Sequence, residues 1–294
     1  MKLPIVISRL SNLSFFIQKI HRKKYNSGEF NLQEYLSDRE IGFLFYGKDE
    51  DEIWNKVNKY KTKKDLSKIK ESVADFEAGF SIYWNTKSKN LLSWERYFQN
   101  NRKVFWEIIN NIQKITNVKD FPFSETSIYL VSDPTSNAEC INAWVSCTPT
   151  ENFVVVEIPS TLKTPNDLFP IGILSHEFLH VILRRNKKIM IQIQEIAEKN
   201  AELFKAIPER YLSTKMIFEE LLVSSFLPEG YLREIHLNMK ISNYDLSAIN
   251  DFIEWRRAIA ANSRSIAKEY TENELQIDEK YLITILSFVK KNTS

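Results

Sequence analysis

ILSHEFLHVIL, residues 173–183, sets His176, Glu177 and His180 into an otherwise apolar run. Read as a helix, it places positions four apart on one face, one turn above the other. Two imidazoles at that spacing can hold one zinc ion, with the intervening Glu177 carboxylate directed at a water on the metal. The chain has 4 His and 27 Glu. A random chain of this composition would contain the pattern with a chance of roughly 0.4%. Histidines satisfied inside a core are the plain alternative for a lone His. Here three polar groups share one apolar helix, and their desolvation calls for a function that offsets it.

The flanking sequence fits a helix over Ile171–Arg184. In TLKTPNDLFP, Thr164 reads as a cap, Pro165 as a first helical residue and Asp167 as the close of a capping box, with Pro170 dividing that turn from the main helix. The basic RRNKK run that follows suits a helix C-terminus. Upstream, SIYLVSD (127–133), INAWVSC (141–147) and NFVVVEIP (152–159) are short, β-branched and separated by Pro, Ser, Thr and Asn, so they predict a small sheet. IGFLFYG (41–47) is likewise strand-like. Apolar positions from Leu91 to Ile115 recur at helical spacing, as they do over 189–204, 215–226, 248–270 and 279–291. The expectation is an α+β protein: a mainly helical region over 1–120, then 121–294 with the sheet and the motif helices.

Composition bounds the function classes. Forty basic against 38 acidic residues leave a net charge of +2, so no global basic field speaks for nucleic acid. Seven lysines between Lys56 and Lys70 read as a solvated helix face. No stretch of about 18 apolar residues suits a membrane span. The amino-terminal apolar run is interrupted by Arg9 and lacks a cleavage site, so no secretory signal is read. Two cysteines, Cys140 and Cys147, do not make a disulfide scaffold; they could bridge a hairpin if oxidised, and read more simply as two half-buried thiols on strands. The expected location is cytoplasmic.

A zinc site needs a third protein ligand and keeps a fourth position for water. His236 lies 56 residues after His180, without the short spacing of a metzincin. Glu219 and Glu220, in FEELLVSSF, sit on a downstream helix, and adjacent helical residues point about 100° apart, so only one of them faces the metal.

On these residues the chain resembles the gluzincin group of zincin metallopeptidases, which pair HExxH with a glutamate on a later helix. In the thermolysin-like pattern the ligand follows an Asn. The resemblance therefore places Glu219 at the Asn position and makes Glu220 the ligand. Ser224 stands where the family commonly has an Asp that supports the first histidine. Asn142-Ala143-Trp144 is similar to the family's Asn-Ala-aromatic edge strand, which pairs with an extended peptide. Tyr211, nine residues before Glu220, matches the position of a tyrosine that steadies the oxyanion. The resemblance spans residues 127 to about 236.

What it implies is a zincin-like core with Zn2+ held by His176, His180 and Glu220, hydrolysing a peptide or protein substrate. Glu177 would act as general base, and Tyr211, Tyr231 or His236 as the oxyanion donor. Two other readings fit the same residues. One is an inactive zincin fold kept as a binding or regulatory module. The other is a toxin or effector protease with a single protein target, recognised by the N-terminal region.

Overall fold

The computed structural model describes residues 1–24, 38–147, 152–209, 212–240, 249 and 251–293. The protein is mostly helical, with a four-stranded mixed sheet, and it divides into two compact units. Unit 1 comprises Met1–Asn100 and Phe123–Asn166, and unit 2 comprises Asn101–Pro122 and Asp167–Ser294. The units interleave along the chain, whereas the sequence suggests a single cut near residue 120.

Unit 1 contains, in chain order, β1 (Ile5–Val6), α1 (Arg9–Lys24), α2 (Asp38–Leu44), α3 (Glu50–Tyr60), α4 (Lys63–Asn100), β2 (Thr126–Asp133), β3 (Asn142–Cys147) and β4 (Asn152–Pro159). The sheet order is β1-β2-β4-β3, with β1, β2 and β4 parallel and β3 antiparallel at an edge. β2 and β4 are buried along almost their whole length, as the near-continuous apolar runs of a covered parallel sheet require. α1 is tied to β2 through Asn12, whose Nδ2 donates to the Leu130 carbonyl at 3.1 Å and whose Oδ1 accepts from Ser132 N at 2.9 Å. All three strands expected from the sequence form. The two-residue β1 is too short to leave a pattern.

IGFLFYG corrects an expectation. Its first residues close the helix α2, and no strand forms there. A short apolar run does not by itself distinguish a buried strand from a buried helix. Ile41 and Leu44, three apart, both face the core, while Phe45 and Tyr46 follow the helix and are also buried. The Tyr46 ring packs on Phe153, Tyr129 and Trp144. The lysine run falls on α3 and the first turns of α4. Lys59, Lys63, Lys64 and Lys70 are exposed, and Lys56 donates to the Tyr46 carbonyl. Cys140 is a free, exposed thiol just before β3, not half-buried on a strand as the sequence suggests, because β3 begins only at Asn142. No described helix is long and apolar enough to cross a membrane.

One ionic cluster sits beneath the sheet ends. Lys19 of α1 reaches Asp133 Oδ2 at 3.0 Å and Glu157 Oε2 at 2.9 Å. Trp144 Nε1 donates to Glu157 Oε1 at 2.9 Å. Burial alone would lower the Lys19 pKa, but the Glu157 charge and the hydrogen bonds to both carboxylates raise it above 10.5. Burial would raise that of Asp133, yet hydrogen bonds from Thr135 and Lys19 bring it below 3.8. The Asp133 contribution to stability is therefore present above pH 3.8 and lost as pH falls through its lowered folded value. The Lys19 contribution is present below pH 10.5 and lost as pH rises through its raised folded value. Lys19→Met should cost about 3 kcal/mol at neutral pH, because two buried carboxylates lose their cation. Urea unfolding of both proteins across pH would check this; a deficit that does not shrink at acid pH would contradict it.

Unit 2 is helical: α5 (Arg102–Thr116), α6 (Phe169–Leu183), α7 (Lys187–Lys199), α8 (Ala201–Lys205), α9 (Thr214–Ser224), α10 (Tyr231–Leu237), α11 (Phe252–Glu272) and α12 (Glu279–Thr293). α6 is apolar on nearly every side and is correspondingly buried. Its Phe178 meets Phe105 of α5 edge-to-face at 5.1 Å. α6 begins later than Thr164 implies. Its first residue is Phe169, Pro170 lies within the first turn, and Asp167 Oδ1 accepts from Phe169 N at 2.9 Å. Pro170 lacks only an N–H that has no helical partner in a first turn, so it starts the helix without dividing it. α10, a two-turn helix after Gly230, has no counterpart in the sequence reading.

Candidate metal centre

α6 and α9 bring the candidate ligands together within unit 2. His176 and His180, one turn apart on α6, have ring centroids 4.8 Å apart and Nε2 atoms 3.2 Å apart. Ser213 caps α9, accepting from Met216 N, and so fixes the start of the helix that carries both glutamates. Glu220 spans the two rings, with Oε1 3.1 Å from His180 Nε2 and Oε2 3.3 Å from His176 Nε2. Ligand atoms of His176, His180 and Glu220 lie within 4.8 Å of one another, a group that could hold a metal ion. Glu177 is 8% exposed, and its Oε1 is 4.0 Å from His176 Nε2.

The outward nitrogens of the two rings have different partners. His180 Nδ1 donates to Glu219 Oε1 at 2.7 Å, and Arg184 Nε donates to the same oxygen at 2.7 Å. Glu219 and Glu220 do point apart, as neighbours on a helix must, yet both reach His180, one at each ring nitrogen. His176 Nδ1 donates to the Leu227 carbonyl at 2.8 Å. Both Nδ1 atoms therefore carry hydrogen, which leaves both Nε2 atoms as the ligating positions.

The electrostatics follow from this packing. Burial would lower the His180 pKa, but the Glu220 charge, the Glu219 hydrogen bond and the Glu220 hydrogen bond together push it up to about 10. Burial would raise both carboxylates, but His180 brings Glu219 below the usual range and, with His176, brings Glu220 well below it. A metal at these atoms competes with the His180 proton, so its uptake strengthens as pH rises.

The other candidates are dispersed. His236, on α10, lies against α5: its Nε2 accepts from Asn111 Nδ2 at 2.7 Å, and its Nδ1 is 4.0 Å from Glu107. Burial lowers its pKa. Tyr231 donates its hydroxyl to Glu272 Oε1 at 2.7 Å. Tyr211 lies outside the described residues. Asn142, Ala143 and Trp144 belong to edge strand β3 of unit 1, where Asn142 and Trp144 donate to Glu157 and Ala143 pairs with Val156. Ser224 accepts from Arg256 Nε at 2.8 Å.

Sequence reasoning did not find the partners of the ring nitrogens. Arg184 carried a signal, standing one helical turn beyond His180. The Leu227 carbonyl carried none, because a backbone oxygen is the same at every residue. Compared with known proteins, the chain matches no family model, and neither a curated protein nor a solved structure shows significant similarity to it.

Proposed function

We propose that the protein is a zinc metallopeptidase of the gluzincin kind, with the metal on His176, His180 and Glu220. The observation that carries this reading is the closeness of the three donors. The two Nε2 atoms, 3.2 Å apart, stand close to the edge of about 3.3–3.4 Å in a tetrahedron with bonds of about 2.0–2.1 Å, Glu220 turns one carboxylate oxygen to each ring, and one ligand atom from each of the three residues fits within 4.8 Å. Two imidazoles and one carboxylate also match the donor set of catalytic zinc sites. The order along the chain, mixed sheet, HExxH helix, then glutamate helix, supports a zincin-like core.

Zinc there would supply a water of pKa near about 7 and polarise the scissile carbonyl. Glu177, whose Oε1 lies 4.0 Å from His176 Nε2, would serve as the general base that accepts a proton from water and returns it to the leaving amine. Glu219 and the Leu227 carbonyl hold the rings with Nε2 turned inward.

The test is metal content and turnover together. The purified protein is expected to hold about one zinc per chain and to lose it in His176→Ala. A survey of cleaved peptides in a lysate should show zinc-dependent products from the parent protein alone. Zinc without cleavage would identify a metal-binding module, and a single cleaved protein an effector protease. No zinc, even after addition, would overturn the reading.

A further inference from the structure

The outward nitrogen of His176 meets a backbone carbonyl, whereas that of His180 meets a carboxylate. α9 ends at Ser224 and the chain turns through Ser225–Gly230 into α10. The Leu227 carbonyl in that turn accepts the His176 Nδ1 hydrogen. A carbonyl on a turn is only as well aimed as the turn is fixed. Arg256, from α11, spans both sides of it: Nε donates to Ser224 Oγ at 2.8 Å before the turn, and Nη2 to Glu229 Oε2 at 3.2 Å after Leu227. The Arg256–Glu229 pair is largely shielded, with side chains 20% and 12% exposed. Tyr281 of α12 adds a hydrogen bond to Ser225 at 2.7 Å, and its ring stacks on Phe226.

We propose that Arg256 is a positioning residue for His176. By bridging Ser224 and Glu229 it clamps the turn whose Leu227 carbonyl orients the imidazole, and so contributes to metal affinity without touching a ligand. Ser224 then serves as an anchor for the clamp, and the orienting acceptor is the main chain. The inference rests on His176 being a metal ligand.

The experiment compares zinc affinity by chelator competition, and the visible spectrum of the cobalt-loaded full-length protein, across variants. Arg256→Ala and Glu229→Gln should each weaken zinc binding about tenfold, the lower end of what outer-shell partners contribute. Both should shift the cobalt spectrum, because the His176 ring loses its fixed angle. The double variant should be no weaker than the worse single one, since both changes act on one turn. Arg264→Ala, which removes the pairing of another α11 arginine with Glu234 of α10, should leave both readouts unchanged. Glu229→Gln preserves volume, so it carries the test if Arg256→Ala fails to fold. Affinity within about twofold of the parent and an unaltered cobalt spectrum would overturn the role of Arg256. Absence of zinc from the parent protein would instead overturn the metal reading, and that is measured before any variant.

Discussion

Glu177→Gln is expected to keep about one zinc per chain and to lower peptide hydrolysis by about 10²–10⁴-fold, the range attributed to a positioned general base. The amide matches the carboxylate in size, so packing within the buried α6 is preserved, but it cannot accept a proton at neutral pH. None of the three donors is Glu177, and its oxygen stands 4.0 Å from His176 Nε2, near the ligands without belonging to the cluster. Metal content and rate should therefore separate. Rates unchanged in the loaded variant would remove Glu177 from the mechanism. Zinc lost along with the rate would make it a ligand.

The two adjacent glutamates should separate just as clearly. Glu220→Ala removes the carboxylate that bridges both Nε2 atoms, and zinc should fall to background. Glu219→Ala removes the acceptor of the His180 Nδ1 hydrogen, and the variant should still saturate with one zinc but bind it about 10–100-fold more weakly. The contrast follows from which ring nitrogen each carboxylate meets, although the two residues are neighbours. Titration with a competing chelator reads both outcomes. The opposite ranking, with Glu219→Ala losing the metal and Glu220→Ala retaining it, would exchange their roles.

The clustering of His176 and His180 was legible because positions four apart on a helix share one face. Helical spacing left Glu219 and Glu220 as alternatives, however, and only the resemblance preferred Glu220. Three of the four strands of the sheet were legible because β-branched runs are bounded by turn residues. IGFLFYG misled because seven apolar residues without alternation suit either a buried strand or a helix with its buried flank. Thr164 misled because a cap followed by proline describes a turn as well as a helix start, and Phe169 starts the helix only once the fold has placed Asp167 beneath it. The support of His176 was out of reach in principle. The sequence offers a serine where a carboxylate is commonly found, and its replacement is a carbonyl aimed by an arginine thirty-two residues further on.

Gly230 closes the turn beside the centre under a purely steric demand. Its backbone, at φ −91° and ψ −160°, is open to any residue. A Cβ added there would nevertheless meet the Ser225 carbonyl oxygen at 2.0 Å and Phe226 N at 2.5 Å. Backbone preference therefore says nothing about this position, while the fold admits only hydrogen at the α-carbon. Gly230→Ala should therefore displace the turn and, with it, the Leu227 carbonyl that meets His176 Nδ1.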